Sequence, residues 1–477
     1  LERRYHVTDL ADRVQPSPQP QPKLPPQPHP HPQPQPQLPQ LAPRLQLLDA
    51  IAAVDAAVVR QEIAGRPVVF VNEPDLIREL LVAAGDSFEK SEFQRRVMGA
   101  AEGSDTGLGN GMLTSSNAVN RRQRTLMTRI FAQPAMRRYV RDVAALARDQ
   151  RDEWAGGASV ELGSAFMRLS ARIVARTLFS WELGPSDEHI VDDLDMIGSL
   201  LGRPAGQREA GWANPSVIER PAAHVERRLL SLVAQRRREG RSADQDADDV
   251  LDVLLAAQAA DEPADRDGGG NGYGLTDQQI RDDLMTLFIT GAENPRNSLT
   301  WALYLLARHP DAARRVAEEV DAAGAGDGYI TPEILRLLPF TMQVFKEALR
   351  LYPPGYAFGR RATEDIRIGS LTLERGAEVV ISPYALHRRP SLFERPGEFL
   401  PERFERDREA GLLPYSYLPF GAGPRSCIGG GFALLEGHVS LAVLLGGLSF
   451  RPVSDAVVPA EPRMTLRPGA PVWMFVE

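Results

Sequence analysis

A single cysteine, Cys427, stands in a chain of 477 residues. It rules out any intrachain disulfide and any zinc or iron–sulfur site that needs several thiolates. Stability must therefore come from a packed core. About 430 residues lie outside a Pro/Gln-rich N-terminal stretch, enough to bury one. The eight histidines show no HExxH or comparable metal spacing. A metal in this chain would be held mainly by one thiolate. Hydrophobic residues at 43% and charged residues at 25% are those of a globular protein. The net charge of −8 leaves no cationic excess for nucleic acid.

From Pro16 to Gln40 the chain alternates Pro with Gln and His and holds 12 of the 39 prolines. Residues 1–44 are predicted to be an extended arm. No apolar run reaches the length of a membrane span and the first residues are charged, so a cytoplasmic protein is expected. Beyond the arm, apolar residues recur at helical spacing in Pro74–Ala84, Pro134–Ala155, Glu161–Phe179, Val217–Arg238 and Pro310–Ala323. Strand patterns are short: Ala57–Ile63 with Pro67–Val71, Asp365–Leu373, Glu378–Ser382, and pieces near Leu448–Pro452 and Val472–Val476. The Gly/Asp-rich stretch Asp261–Gly274 reads as a surface loop. The expected fold class is mostly α (α+β), with small sheets.

Thr276-Asp-Gln-Gln279 fits a capping box. It predicts a helix running to about His309, roughly 48 Å long at 1.5 Å per residue. A carboxylate, an amide and a proline interrupt its apolar centre at Glu293, Asn294 and Pro295. Local violations of this kind mark functional sites. Cys427 lies in Phe420-Gly-Ala-Gly-Pro-Arg-Ser-Cys-Ile-Gly429, ahead of a small-residue helix from Gly430 to Leu445. The glycines are expected to let a flat, rigid group approach the sulfur. The helix start is expected to favour thiolate, and Arg425 suits a carboxylate on that group.

Phe420, Gly423, Arg425, Cys427 and Gly429 satisfy Phe-x-x-Gly-x-Arg-x-Cys-x-Gly, and the chain resembles the cytochrome P-450 family. Glu347-Ala-Leu-Arg350 resembles that family's Glu-x-x-Arg helix, and Arg403 in Pro401-Glu-Arg-Phe404 the third member of its buried network. The resemblance implies one P-450 domain over 45–477, with Cys427 as axial ligand of haem b and Glu347, Arg350 and Arg403 in a structural role. It also implies a haem-thiolate monooxygenase that activates dioxygen to hydroxylate an apolar metabolite of secondary metabolism. Arg425, Arg124 and Arg360 are the implied propionate partners, with Arg361 an alternative to Arg360. Arg124 lies in a segment where the family's tryptophan is replaced by Asn120.

The long-helix motif reads Thr290-Gly-Ala-Glu-Asn-Pro295, with Asn294 where the family has threonine. A carboxamide is a poor proton donor, so Glu293, Asn294 and Thr290 are the catalytic candidates for proton delivery. Pro295 removes an amide and is expected to distort the helix. If the relay fails, oxidative cyclisation, coupling or desaturation is the alternative outcome; a haem sensor or electron carrier is more remote. Phe93–Leu113, Leu287, Tyr356 and Phe358 are expected at the substrate. With no anchor or fused flavin or iron–sulfur domain in view, a monomer served by ferredoxin and ferredoxin reductase or similar redox partners is expected, and because ferredoxins are commonly acidic, Arg121, Arg122, Arg137 and Arg138 are candidates for a basic docking patch. His387 and His438 are expected to be ordinary polar residues.

Overall fold

The computed structural model describes residues 44–63, 65–92, 95, 108–157, 159–200, 216–239, 249–259 and 275–477. Residues 1–43, most of Phe93–Leu113 and the Asp261–Gly274 stretch lie outside them.

Ten helices carry the architecture: α1 (Arg44–Val54), α2 (Asn117–Met127), α3 (Gln133–Trp154), α4 (Leu162–Phe179), α5 (Glu188–Leu200), α6 (Ser216–Glu239), α7 (Asp277–Arg308), α8 (Pro310–Ala322), α9 (Pro339–Leu351) and α10 (Gly430–Leu445). Residue 44 thus begins a helix rather than ending the arm. Pro74–Ala84 is helical only to Arg78, and Glu79–Ala83 then winds into a wider turn.

Helix α7 starts where the capping box requires. The Thr276 hydroxyl accepts from the Gln279 backbone amide at 3.1 Å, and Gln279 Oε1 accepts from the Thr276 backbone amide at 2.9 Å. The helix then runs unbroken for 32 residues through Pro295. The expected distortion is not a break: neighbours pack the helix on several sides, so one lost backbone bond does not end it. Gly291, one turn before the proline, packs tightly on α4: a β-carbon there would sit 3.0 Å from Val174 Cγ2. Helices α3, α4, α7, α9 and α10 share the largest buried apolar cluster.

A five-stranded sheet forms beside this bundle from β1 (Val58–Ile63), β2 (Arg66–Val71), β3 (Phe88–Lys90), β4 (Phe358–Ala362) and β5 (Glu378–Ile381). Its order is β1-β2-β5-β4-β3. Strands β3 and β4 are antiparallel, with Lys90 opposite Arg360 and Glu89 opposite Arg361. The C-terminal strand Trp473–Val476 lies between Ser159–Glu161 and Phe450–Pro452.

One core residue gives the fold a pH dependence. Glu436 on α10 is fully buried and accepts from the Ser170 hydroxyl of α4 at 2.8 Å, while its second oxygen has no partner among the described residues. Burial pushes its carboxyl up to about 8, against the pull of Ser170. The neutral acid is thus the form the fold prefers. Stability from this group is fully present below the ordinary glutamate range and is lost as pH rises through about 8. The loss is on the order of a few kcal/mol. Melting temperatures of the wild type should therefore fall between pH 6 and 9, and Glu436→Gln should flatten that fall. Equal slopes in the two proteins would show that Glu436 ionises without cost.

Candidate active site

The Cys427 loop is built before any cofactor is considered. The Cys427 amide donates to the Phe420 carbonyl at 2.8 Å, and the Ser426 amide to Gly423 at 3.0 Å. Gly423 has φ +72°, and a β-carbon there would lie 2.0 Å from the Leu81 carbonyl oxygen. Its glycine is therefore required by turn geometry and protein packing, not by room for a cofactor. Arg124 on α2 donates to the Ser426 carbonyl at 2.6 Å. Arg425 donates to Ser115 O at 2.6 Å and to Asn117 Oδ1 at 2.9 and 3.1 Å, leaving its buried Nη1 unpartnered.

The Cys427 sulfur opens into a cavity of ≈ 310 Å³, and its exposed area belongs to that cavity. Burial pushes the thiol up, against the Gly429 amide and the Arg124 charge. The expectation that the helix start alone favours thiolate is corrected: α10 begins three residues later, at Gly430, and desolvation outweighs it. A coordinated metal ion deprotonates such a thiol outright.

Lys90, Arg124, Arg360 and Arg425 all line this cavity, and among the described residues no carboxylate does. Lys90 and Arg360 stand directly opposite each other across β3 and β4, an unfavourable pairing of like charges. Burial, and then Arg360 and Arg425, push the Lys90 ammonium far down. Burial and Arg425 bring Arg360 to about 10, and Arg425 itself is brought to about 10, chiefly by burial. Three arginines and a lysine, with the Arg425 Nη1 unpartnered among them, suit a planar dianion, and Cys427 in the same cavity suits its metal. The residues present therefore fit haem b. Register selects Arg360 over Arg361, which turns to the other face and lies 3.7 Å from Glu92. Lys90 escaped the sequence reading because only strand pairing brings it to Arg360. Asn120 donates to the Met112 carbonyl at 2.7 Å, which holds a cavity wall in place.

Behind the loop, Arg350 and Glu347 are both fully buried. Arg350 meets Glu347 through Nε at 2.7 Å and Nη2 at 2.8 Å. Its other donors reach the carbonyls of His387 and Pro396 at 2.8 Å and of Glu398 at 3.0 Å. All five guanidinium hydrogens are thus used. Glu347 Oε1 also accepts from Arg403 Nε at 3.3 Å and the Leu400 amide at 2.9 Å. His387 extends this network. Its Nε2 accepts from the Leu418 amide at 2.8 Å, which leaves Nδ1 to donate to the Arg350 carbonyl at 3.2 Å. Burial and the Arg350 charge hold its pKa far below the usual histidine range. His387 is thus a neutral link to the segment entering the cysteine loop, which nothing in its sequence context signals. His438 donates from Nε2 to the Leu338 carbonyl at 2.8 Å and does not line this cavity.

Across the cavity, α7 presents Thr286, Leu287, Thr290, Gly291, Asn294, Pro295 and Ser298. Glu293 is not among them. It is buried on the other side of the helix, accepting from Arg296 at 3.3 Å, Asn297 at 2.9 Å and Thr465 at 3.0 Å. Arg296 is held in turn by Gly163 O and Asp195, each at 2.9 Å. The cavity stripe on α7 runs through 286, 287, 290, 291, 294, 295 and 298, and Glu293 lies outside it, about 100° around the helix from Asn294. Thr290 does face the cavity, but its hydroxyl donates to the Thr286 carbonyl at 2.6 Å. Phe358 and Leu287 line the wall; Tyr356 does not. Its hydroxyl donates to the Arg463 carbonyl at 3.0 Å and its ring packs with Leu48, Phe70 and Tyr384. Regular strand begins only at Phe358, so alternation does not carry Tyr356 to the same face.

Fold and site together define a haem-thiolate protein, with one cysteine beneath a largely apolar chamber. The profile of the family described as Cytochrome P-450 matches residues 22–472, and the chain belongs to that family. Cyclooctatin synthase of Streptomyces melanosporofaciens is 33% identical over 440 residues, covering 91% of each chain. Cyclooctat-9-en-7-ol 5-monooxygenase of the same organism is 31% identical over 72% of this chain and 74% of its own. Pentalenene oxygenase of Streptomyces avermitilis is 28% identical over 83% and 86%. The crystal structure of the cytochrome P450DA haem domain superposes with a TM-score of 0.76 at 23% identity, covering 91% of this chain and 92% of that one. The protein is a cytochrome P-450 monooxygenase that uses haem b and redox partners to oxidise a small molecule. Among the described residues, no helix is long and apolar enough to cross a membrane.

Proposed function

We propose that the protein hydroxylates an unactivated carbon of an apolar cyclic metabolite. The observation that carries this reading is the chamber itself: Cys427 opens into a wall formed by Met112, Leu113, Leu178, Leu287, Phe358 and Met464, without a carboxylate. The names of two relatives point to the same class, one being an oxygenase of a hydrocarbon and the other of a cyclic alkenol. Haem bound there supplies dioxygen activation, while this chain's residues do the rest. Cys427 ligates, the four cations fix the cofactor's edge, and the apolar wall excludes water and orients the substrate. In the balanced reaction one oxygen atom enters a C–H bond. The other leaves as water, with two electrons and two protons consumed.

A second reading is oxidation without oxygen insertion. Asn294 replaces the usual hydroxyl, the Thr290 hydroxyl is already engaged, and Glu293 faces away from the chamber. Turnover of a cyclic alkenol under ¹⁸O-labelled dioxygen separates the two. One labelled oxygen in the product supports hydroxylation; an unlabelled cyclised or desaturated product overturns it.

Electrons are proposed to arrive from a ferredoxin served by its reductase, docking to a monomer in the cytoplasm. The proposed face is that of α2 and the start of α3. Arg121 pairs there with Asp86 at 2.7 Å, and Arg137 with Glu333 at 3.3 Å; all four side chains are exposed. Exposed pairs of this kind contribute at most about 1 kcal/mol and yield readily to a partner's carboxylates. Arg121→Glu with Arg137→Glu should slow reduction about tenfold or more at low salt, with the difference shrinking as salt rises. Stopped-flow reduction unchanged by the double reversal would rule out this face.

A further inference from the structure

At one turn of the chamber wall Pro295 removes a backbone donor and Asn294 leaves its carboxamide unpaired. Proline has no amide hydrogen, so the Gly291 carbonyl loses its donor four residues on. Gly291 lines the cavity. Asn294, three residues further along the same face, also lines it, and its carboxamide has no hydrogen-bond partner in the protein among the described residues. Three neighbouring hydroxyls are already engaged. Thr290 donates to Thr286 O, Ser298 to Asn294 O at 2.9 Å, and Thr465 to Glu293. The Thr286 hydroxyl oxygen is sealed away from the cavity; a β-carbon on Gly111 would lie 2.2 Å from it. In a largely apolar chamber, an acceptor and a carboxamide left open at one turn form a site for a complementary group.

We propose that this turn binds a hydroxyl group already present on the substrate, with its O–H donating to the Gly291 carbonyl and its oxygen accepting from Asn294 Nδ2. An alcohol can make both bonds; a ketone or ether can only accept, and a hydrocarbon makes neither. This inference rests on the monooxygenase reading and narrows it: the substrate is a cyclic alcohol. A hydroxylating or hydrating reaction must therefore come before this one. Asn294 is a specificity residue here, and Pro295 a positioning residue that keeps the carbonyl open.

The test titrates the haem-loaded full chain with decalin, 2-decalol and 2-methoxydecalin, following the Soret shift on binding. The wild type should bind the alcohol about tenfold or more tightly than either other compound, the worth of one or two net hydrogen bonds. Asn294→Leu should abolish the preference. Pro295→Ala, which restores the missing amide and favours the helix, should reduce it without harming the fold. Equal binding of the three by the wild type, no binding of the alcohol, or a preference that survives both substitutions would overturn the proposal. A water molecule held permanently at the turn would give the first of these results. If decalin gains a labelled oxygen while no alcohol preference exists, the proposal fails and the hydroxylase reading stands. If the haem is reduced yet neither ring is oxygenated, the hydroxylase reading fails instead.

Discussion

Arg350→Leu is expected to cost about 3–5 kcal/mol, the range seen when one partner of a buried ion pair is removed. A domain's net stability is only of order 5–15 kcal/mol. The structure explains why the loss belongs at the upper end. The guanidinium satisfies the Glu347 carboxylate and the carbonyls of His387, Pro396 and Glu398. Leucine leaves three carbonyls without that donor and Glu347 with only Arg403 and the Leu400 amide. Arg350→Lys keeps the charge but offers three donors for five positions, so it should recover only part of the loss. Urea unfolding of the three proteins checks this. A leucine variant within about 1 kcal/mol of wild type would mean that the network does not hold the fold.

Cys427→Ser should separate fold from chemistry. The loop is shaped by the residue 427 amide bonded to Phe420, by Arg124 on Ser426, and by Arg425 on Ser115 and Asn117. None of these uses the sulfur. Thermal stability without cofactor should stay within about 1 kcal/mol of the parent. A serine hydroxyl cannot replace the thiolate whose electron donation favours O–O cleavage. The reduced carbon-monoxide complex should lose its thiolate-type band, and turnover should fall by about 10³-fold or more, as for removal of an essential catalytic group. A variant that keeps the band, or turns over within tenfold of wild type, would remove Cys427 from the iron.

Much of this site is legible in the chain because its signals are local. The turn around Cys427 needs glycine at 423, and Thr276 with Gln279 is a capping box in sequence as in space. The Glu-x-x-Arg spacing places Glu347 and Arg350 on one helical face. Three features lie beyond local reading. Lys90 becomes a cofactor-site cation only through the β3–β4 register. His387 joins the ion-pair network only because the chain returns to Arg350 and then to Leu418. Tyr356 and Glu293 look like chamber residues until the start of a strand and the rotation of α7 turn them elsewhere.

By itself the sequence determined the family, the cysteine loop, the long helix and the unusual Asn294-Pro295 turn, since each depends on residues within a few positions of one another. Only the tertiary structure decided which side chains face the chamber and which cations meet. Facing depends on helix phase and strand register, and those are set by long-range packing rather than by neighbours in the chain.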